Sequence, residues 1–266
     1  MSITMFEVEA LSAFSDNYIW LIKNKKTKQV AAVDPGDAEP VLQWLRQHSG
    51  WQLTNILITH HHHDHTGGIN TLKQHTKAIV LAPDNPSIPS KDIILENNQL
   101  INIIGKKVQV IAVPGHTLDH IVYFFPKQLD DTTHWLFSGD TLFAGGCGRV
   151  FEGTMEQMYQ SLQKINQLPA ETTIYPAHEY TVSNLKFANT VEPTNYKAKK
   201  LLEYCIELRR KQQITLPTTL TLEQQTNPFL RCHLESIRQT ASYHIKQELQ
   251  SPIEIFKTIR EWKNNF

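Results

Sequence analysis

Apolar residues fall into short runs in the first two thirds of the chain and recur at helical spacing in the last third. Short apolar runs bounded by turn residues are typical of strands. On this pattern we expect the chain to begin with strands around residues 6–8, 18–22 and 30–33. A helix is expected from Pro40 to Leu45, with Asp37 as its cap.

Four later apolar runs share one feature, because each leads to a side chain that can bind a metal ion. The runs at residues 56–58, 108–113, 135–137 and 173–175 lead to His60, His116, Asp140 and His178, respectively. Residues that follow the ends of neighbouring strands can converge at one edge of a sheet. We therefore predict that these four side chains belong to one site.

The segment from Thr59 to Gly68 contains five histidines and one aspartate. Imidazole nitrogens and carboxylate oxygens are ligands that zinc and similar divalent metals prefer. These donors exceed the needs of a single tetrahedral ion, which indicates two metals. A tag-like polyhistidine run is the alternative, but such a run is normally terminal, and this one follows an apolar strand inside the chain.

The last third of the chain has the pattern of helices. Residues 197–212 are amphipathic, with one apolar face. Ser251 is a good helix start, since Pro252 and Glu254 follow at the first and third helical positions. The threonine-rich residues 215–221 are expected to be a linker, followed by two more helices.

The two patterns together predict an α+β chain with two domains. Residues 1–178 would form a β-rich catalytic domain, and residues 179–266 a small all-helical domain. A chain of 266 residues is long enough to bury a substantial core and fits one or two domains.

Composition and charge exclude several classes of partner. The 26 basic and 26 acidic residues balance, so the overall charge does not favour nucleic acid or a membrane surface. Met1–Glu7 lacks the basic and apolar parts of a secretion signal, and no apolar run approaches the length of a membrane span. The three cysteines are too widely spaced for a disulfide framework or a zinc knuckle. We therefore expect a cytoplasmic protein.

The order of the metal-binding residues carries a family resemblance. His60-x-His62-x-Asp64-His65, followed by His116, Asp140 and His178, resembles the metal motif of the metallo-β-lactamase superfamily. Within it the chain is most similar to glyoxalase II, the hydroxyacylglutathione hydrolases, through residues 16–18, 139–143, 146–149, 151–154, 178–181, 184–188 and 227–231. The resemblance implies a metallo-β-lactamase-type αββα sandwich followed by a small all-α domain.

The resemblance also implies a binuclear metal centre. One metal would be held by His60, His62 and His116, the other by Asp64, His65 and His178, with Asp140 bridging both. Zinc is expected first, with iron or manganese as alternatives. A hydroxide bridging the two metals would attack the substrate carbonyl, with Asp64 and Asp140 as ligands that orient it. His61 and His63 occupy variable positions of the motif and are left out of the ligand set.

The substrate implied by the resemblance is an S-(2-hydroxyacyl)glutathione, typically S-D-lactoylglutathione. Its hydrolysis to glutathione and D-lactate is the second step of methylglyoxal detoxification. The residues expected to contact glutathione are Arg149, Phe151, Tyr180, Arg260 and Lys263. Arg260 and Lys263 lie three apart on one helix face and would bind a glutathione carboxylate.

Two positions depart from the family pattern. Phe151 stands where some members have tyrosine, which removes one hydrogen-bonding hydroxyl, and Asp119 stands where the family usually has a small residue, often glycine. Losing one hydroxyl contact weakens binding by about 1 kcal/mol and does not abolish it.

Two alternatives stay open at this point. A persulfide dioxygenase of the same superfamily would hold one iron and consume oxygen, and the helical C-terminal segment with Arg260 and Lys263 argues against it. A non-catalytic metal- or glutathione-binding protein is the alternative from a different class, and the complete ligand set argues against that. We expect a glutathione thioester as the partner, no nucleic acid, no membrane, and a monomer.

Overall fold

The computed structural model describes residues 5–128 and 131–266. Residues 1–4, which belong to the stretch considered above for a secretion signal, lie outside the described residues. The chain divides into two compact units. The first contains residues up to Ala112 together with Asp119–Gly139, and the second contains Val113–Leu118 and Asp140–Phe266. The predicted domain boundary after residue 178 stays a prediction.

The first unit begins with a six-stranded sheet. Its strands, in spatial order, are β1 (Phe6–Ala13), β2 (Asn17–Asn24), β3 (Gln29–Val33), β4 (Gln52–Leu57), β5 (Ile79–Pro83) and β6 (Ile93–Leu95). The first three strands pair antiparallel, and β3 to β6 pair parallel. Parallel pairing needs crossover connections, which here carry the helices.

Three helices belong to these connections: α1 (Glu39–Gln47), α2 (His63–Thr66) and α3 (Ile69–Thr76). The predicted helix around residues 40–45 is confirmed as α1, but the predicted cap is wrong, because the N-cap is Ala38. Asp37 lies one residue earlier, and its carboxylate accepts a hydrogen bond from the Glu39 N–H. Val41 and Trp44 of α1, and Ile69 and Leu72 of α3, are buried against the sheet in one apolar cluster. The amphipathic faces of the helices thus form the core of this part.

The rest of the first unit is an antiparallel ladder of β7 (Leu100–Ile103), β8 (Lys106–Ala112), β9 (Ile121–Phe125) and β10 (Trp135–Gly139). All five residues of β9 and of β10 are buried. The fully buried Tyr123 of β9 donates its hydroxyl to the Ile58 carbonyl at 2.7 Å, just beyond the end of β4. This bond fixes the chain where it enters the histidine-rich segment.

The second unit is mostly helical. It contains β11 (Leu142–Phe143), β12 (Gly146–Cys147), α4 (Met155–Asn166), β13 (Thr173–Pro176), α5 (Thr181–Val191), α6 (Tyr196–Arg210), β14 (Thr218–Thr219), α7 (Leu220–Thr226), a 3₁₀ turn (Pro228–Leu230), α8 (Glu235–Ile245) and α9 (Pro252–Asn264). The predicted start at Ser251 is confirmed, since Ser251 and Glu254 form a complete capping box. Phe187, Phe229 and Phe256 are fully buried among these helices.

The predicted linker at residues 215–221 is wrong. Thr218 and Thr219 pair with β13 as β14, and the Thr219 hydroxyl then accepts from the Leu222 N–H as the cap of α7. Threonine suits both roles, because it favours strands and caps helices. Three helices, rather than the expected two, therefore follow α6 in the described part of the chain. None of the helices among residues 5–128 and 131–266 is long and apolar enough to cross a membrane.

Candidate metal centre and binding residues

The first unit carries four of the predicted ligands on the segment that leaves β4. His60 Nε2 lies 3.1 Å from His62 Nδ1, and His65 Nε2 lies 3.4 Å from the Asp64 carboxylate. Both His60 and His65 are fully buried. The segment therefore presents two pairs of donors, His60 with His62 and Asp64 with His65.

Asp34 fixes the rings of two of these ligands. Its carboxylate accepts from the Thr59 N–H and from the Thr59 hydroxyl, each at 2.8 Å, and lies 3.1 Å from His65 Nδ1. The Thr59 oxygen in turn lies 3.0 Å from His60 Nδ1 and accepts its proton, because the hydroxyl hydrogen is donated to Asp34. This arrangement places the proton of His60 at Nδ1, which leaves its Nε2 with a lone pair for a metal.

Asp34 and Asn17 are site residues that sequence reasoning missed. Asn17 Nδ2 donates to the Asp64 carboxylate at 3.0 Å and so orients a predicted ligand. Asp34 directly follows the predicted strand at residues 30–33 and was assigned no role. The signal available was its place at the end of an apolar strand, the position that also marks the predicted ligands.

The second unit carries the other three predicted ligands. One oxygen of Asp140 lies 3.3 Å from His116 Nε2, and its other oxygen lies 3.3 Å from His178 Nε2. His116 Nδ1 donates to the Arg149 carbonyl at 2.8 Å, so its Nε2 keeps the lone pair. Asp140 thus faces one histidine with each oxygen, which is the arrangement of a carboxylate that bridges two cations.

A glycine packs against a ligand backbone in each unit. A Cβ on Gly36 would lie 1.8 Å from the Asp64 carbonyl oxygen, and a Cβ on Gly148 would lie 1.9 Å from the Asp140 carbonyl oxygen. No side chain fits at such distances. Both positions therefore require glycine for the ligand segments to lie where they do.

The histidines that the sequence left out of the ligand set have other surroundings. His61 Nδ1 bonds the Asp119 carboxylate at 3.0 Å, so the residue that departs from the family pattern has a specific partner. His63 is exposed on α2. His120 stacks on His60, with ring centroids 4.7 Å apart and planes 17° apart, and so restricts that ring.

The residues predicted to bind substrate differ in exposure. Arg149 is exposed, and Phe151 is 62% exposed with its ring 5.2 Å from that of His116. Tyr180, 37% exposed, stacks on His178 at 4.7 Å. Burial, together with the charges of Arg260 and Arg149, lowers the pKa of Lys263 to about 8. These four side chains are available to a ligand.

Arg260 differs from the other four, because it is only 2% exposed. Its Nη1 donates to the Cys147 carbonyl at 2.7 Å, and its Nη2 donates to the Asn264 side chain at 3.2 Å. Its guanidinium lies over the Phe229 ring, 5.1 Å from the centroid. The side chain is thus enclosed by protein groups.

Comparison with known proteins identifies the family. Residues 14–178 match the family model of the metallo-beta-lactamase superfamily, and residues 179–266 match that of the hydroxyacylglutathione hydrolase C-terminus. A hydroxyacylglutathione hydrolase from Pseudomonas aeruginosa (strain LESB58) is 47% identical over 98% of this chain and 100% of its own length. The chain belongs to the hydroxyacylglutathione hydrolase family. The family recognised in the sequence is thereby confirmed.

Solved structures show the same fold. ETHE1 from Myxococcus xanthus matches 97% of both chains with a TM-score of 0.64 at 24% identity. TTHA1623, solved in a di-iron-bound form, matches 84% of this chain and all of its own with a TM-score of 0.57, also at 24% identity. With the family matches, these confirm the predicted fold class, a metallo-β-lactamase sandwich followed by an all-helical region. The histidine and aspartate groups of this hydrolase suit binuclear metal binding.

Proposed function

We propose that this protein hydrolyses S-(2-hydroxyacyl)glutathione thioesters, typically S-D-lactoylglutathione, to glutathione and a 2-hydroxy acid. The observation that carries the proposal is Asp140, whose two oxygens each lie 3.3 Å from a different histidine. The full-length likeness of the chain to hydroxyacylglutathione hydrolases supports the choice of substrate. A water adds to the thioester carbonyl, the carbon–sulfur bond breaks, and the thiolate leaves without a strong acid.

The donors fit two divalent cations. His60 and His62 would share one cation with His116, while Asp64 and His65 would share the other with His178, and Asp140 would bridge the two. Support comes from the two donor pairs of the first unit and from the hydrogen bonds at Nδ1 of His60 and His116. When bound, two such cations lower the pKa of a water and polarise a carbonyl. Zinc is the first candidate, with iron or manganese as alternatives.

The substrate is held by residues of the second unit. Arg149, Arg260 and Lys263 would supply positive charge for the carboxylates of glutathione, while Phe151 and Tyr180 would supply aromatic surface beside the proposed ligands His116 and His178. The match of residues 179–266 to the family's C-terminal model supports a helical domain with this task. A monomer in the cytoplasm stays a prediction from the sequence.

The test is thiol release from S-D-lactoylglutathione, with the metal content counted on the same sample. We expect turnover with about two metals per chain, and its loss after treatment with a chelator. His178→Ala should lose turnover and metal, while His75→Ala, at an exposed histidine bonded only to its own helix in the first unit, should keep both.

Absence of thiol release from a fully metallated sample would sink the proposal. Oxygen uptake with glutathione persulfide would then identify a persulfide dioxygenase. Glutathione binding without turnover of either compound would instead indicate a non-catalytic binding protein.

A further inference from the structure

The hairpin that joins β1 to β2 carries an exposed aromatic side chain at its turn. Ala13 and Asn17 face each other at the ends of the two strands, so residues 14–16 form the turn. The first of these, Phe14, is 58% exposed. An isolated exposed apolar side chain is common on protein surfaces, so exposure alone assigns Phe14 no function.

The backbone of Phe14 is in a conformation that phenylalanine rarely adopts. Its φ is 51°, in the left-handed region. Turns place glycine, asparagine or aspartate in this region, because a larger side chain crowds its own backbone there. Among the described residues other than glycine with positive φ, only Phe14 and Ile104 are apolar, and Ile104 is buried. Strained positions of this kind are concentrated at ligand-binding sites.

The Phe14 ring lies beside the main chain of Asp64, a predicted metal ligand in the same unit. A Cβ on Gly36 would lie 1.8 Å from the Asp64 carbonyl oxygen and 2.9 Å from Cε2 of Phe14. The ring and the ligand backbone therefore flank the same point. Because the Asp64 side chain is 43% exposed, the ring borders a ligand that solvent reaches.

The same hairpin orients Asp64. Asn17 Nδ2 donates to the Asp64 carboxylate at 3.0 Å and to the Asp64 carbonyl at 3.3 Å. Asn17 is buried, as are all the residues of β2, which it begins. One end of the turn is therefore fixed, and the fold sets the position of Phe14 relative to Asp64.

The proposed substrate has two parts of different chemistry. Its glutathione part carries carboxylates, for which the cationic residues assigned above lie in the second unit. In the acyl part, the carbonyl and hydroxyl oxygens suit metal ions, and the remaining substituent, a methyl group in the lactoyl thioester, is apolar. Ligand sites hold such substituents on apolar or aromatic side chains. Phe14 supplies this kind of surface beside Asp64.

We propose that Phe14 contacts the apolar substituent of the acyl group and so determines which 2-hydroxyacyl thioesters are hydrolysed efficiently. The inference rests on the proposed function, because it places the acyl group beside the metal centre. It assigns the choice of acyl group to the first unit, whereas the residues assigned to glutathione belong to the second.

The experiment uses three glutathione thioesters that differ only in the substituent of the acyl group. The substituent is hydrogen in the glycoloyl, methyl in the lactoyl and phenyl in the mandeloyl thioester. We expect Phe14→Ala to lower kcat/KM about fourfold for the lactoyl and about tenfold for the mandeloyl thioester, since the lost contact grows with apolar area. The value for the glycoloyl thioester should change by less than about twofold.

Two other aromatic positions serve as controls. Tyr243→Ala removes a highly exposed ring from α8 and should leave all three kcat/KM values unchanged. Phe151→Ala removes a ring assigned to glutathione and should change the three values by the same factor. A change of acyl preference in Phe151→Ala, with none in Phe14→Ala, would assign the acyl group to the second unit and overturn the inference.

Phe14→Gly separates loss of the ring from a change in the turn. Glycine adopts a φ of 51° without strain, so the hairpin keeps its path and only the ring is lost. We expect the acyl preference of Phe14→Ala together with the metal content of wild type. Phe14→Leu, which keeps part of the apolar surface, should fall between Phe14→Ala and wild type. Loss of metal from Phe14→Gly would show that the ring serves to hold Asp64, and would contradict a contact with substrate.

Binding gives a readout that needs no hydrolysis. The probes are ketone analogues of the glycoloyl and lactoyl thioesters, in which a CH₂ group separates the sulfur from the carbonyl. Calorimetric titration should show that wild type binds the analogue with the methyl group about fourfold more tightly than the analogue without it, and that Phe14→Ala binds both equally. An equal preference in wild type and Phe14→Ala would refute the inference. This ratio is also measurable if wild type hydrolyses none of the thioesters, so failure of the proposed function is distinguishable from failure of the inference.

Discussion

The ligand-bearing segments of the two units are held by different kinds of contact. In the first unit, the Asp34 carboxylate lies 3.1 Å from the His65 ring and contacts the His60 ring through Thr59. In the second unit, the side chains of Glu223, Asn227 and Arg260 bond backbone atoms of the segment that follows Asp140. The first segment is thus held by contacts to the rings of its proposed ligands, and the second by contacts that fix the path of its backbone.

The difference determines what a substitution will change. Replacing a side chain that bonds a ligand ring alters the proton position and the basicity of that ring. Replacing a side chain that bonds the backbone alters where the ligands lie. Metal affinity is sensitive to both kinds of substitution. Their effects should be distinguishable when the shape and the charge of a side chain are changed independently.

The largest effect is expected at Asp140, the carboxylate proposed to bridge the two metals. Asp140→Asn keeps the shape and removes the negative charge and one acceptor oxygen that faces a histidine. We expect kcat/KM for the glutathione thioester to fall on the order of 10³-fold, since several kcal/mol of charge stabilisation depend on the metals. The metal content should fall below two per chain. Asp84→Asn, at an exposed position, is the control, and retention of both metals with full activity would contradict a bridging role.

The next effect concerns the first unit. Asp34→Asn is isosteric, but its amide nitrogen cannot accept from Thr59 or from His65. We expect metal affinity to fall about 10- to 100-fold, which is typical for a carboxylate behind a metal-binding histidine. Chelator competition measures it. Because charge and accepting capacity are what matter here, Asp34→Ala should cost about as much as Asp34→Asn. If Asp34→Asn lowers metal affinity much less than Asp34→Ala does, the shape of the side chain holds this segment too.

The third effect concerns the second unit, where one of the backbone-holding groups is itself titratable. Glu223 is fully buried, and burial raises its pKa from 4.5 to about 7, although bonds from Thr218, Gly145 and Asn227 favour the ionised form. Between pH 4.5 and 7 the folded protein keeps a proton that the unfolded chain has released. The free energy of unfolding should therefore decrease as pH rises through this range, by about 3 kcal/mol in total.

Chemical denaturation across pH 4 to 8 checks the expectation for Glu223. Glu223→Gln should lack this decrease, whereas Glu261→Gln, at an exposed position of α9, should show it as the wild type does. If the free energy of unfolding depends on pH in the same way for wild type and Glu223→Gln, Glu223 is ionised across this pH range. The second segment would then be held by an ionised carboxylate at all of these pH values.

The proposed ligands could be selected from the sequence because their signal is local. His60, His62, Asp64 and His65 lie within six residues, and Asp140 follows an apolar strand, so spacing and the strand pattern were sufficient. The groups that hold them were not predictable in this way. Asp34 bonds a residue 25 positions away, and Arg260 bonds one 113 positions away, so both contacts depend on the fold.

Arg260 and Lys263 illustrate what a motif leaves open. Arg260 and Lys263 form one short pattern, and a pattern of two cations indicates an anion site equally at both positions. Burial separates them, since the guanidinium is enclosed while the ammonium is only partly covered. Residues 215–221 are a similar case, because threonine and proline suit a linker, a strand edge or a helix cap, and tertiary contacts decided among these.

The smallest effect is expected where the chain departs from the family, at Asp119. Its carboxylate bonds the His61 ring in the first unit, but His61 is not a predicted ligand. Asp119→Gly should therefore leave the metal content unchanged and alter kcat/KM by less than about threefold. It should lower the free energy of unfolding by about 1 kcal/mol, the value of one hydrogen bond. Asp119→Asn, which keeps an acceptor, is the matched control for both measurements. Loss of metal from Asp119→Gly but not from Asp119→Asn would show that the hydrogen bond to His61 also holds the segment that carries the proposed ligands. Bonds to ligand rings and bonds to neighbouring groups would then have the same effect on the metal site.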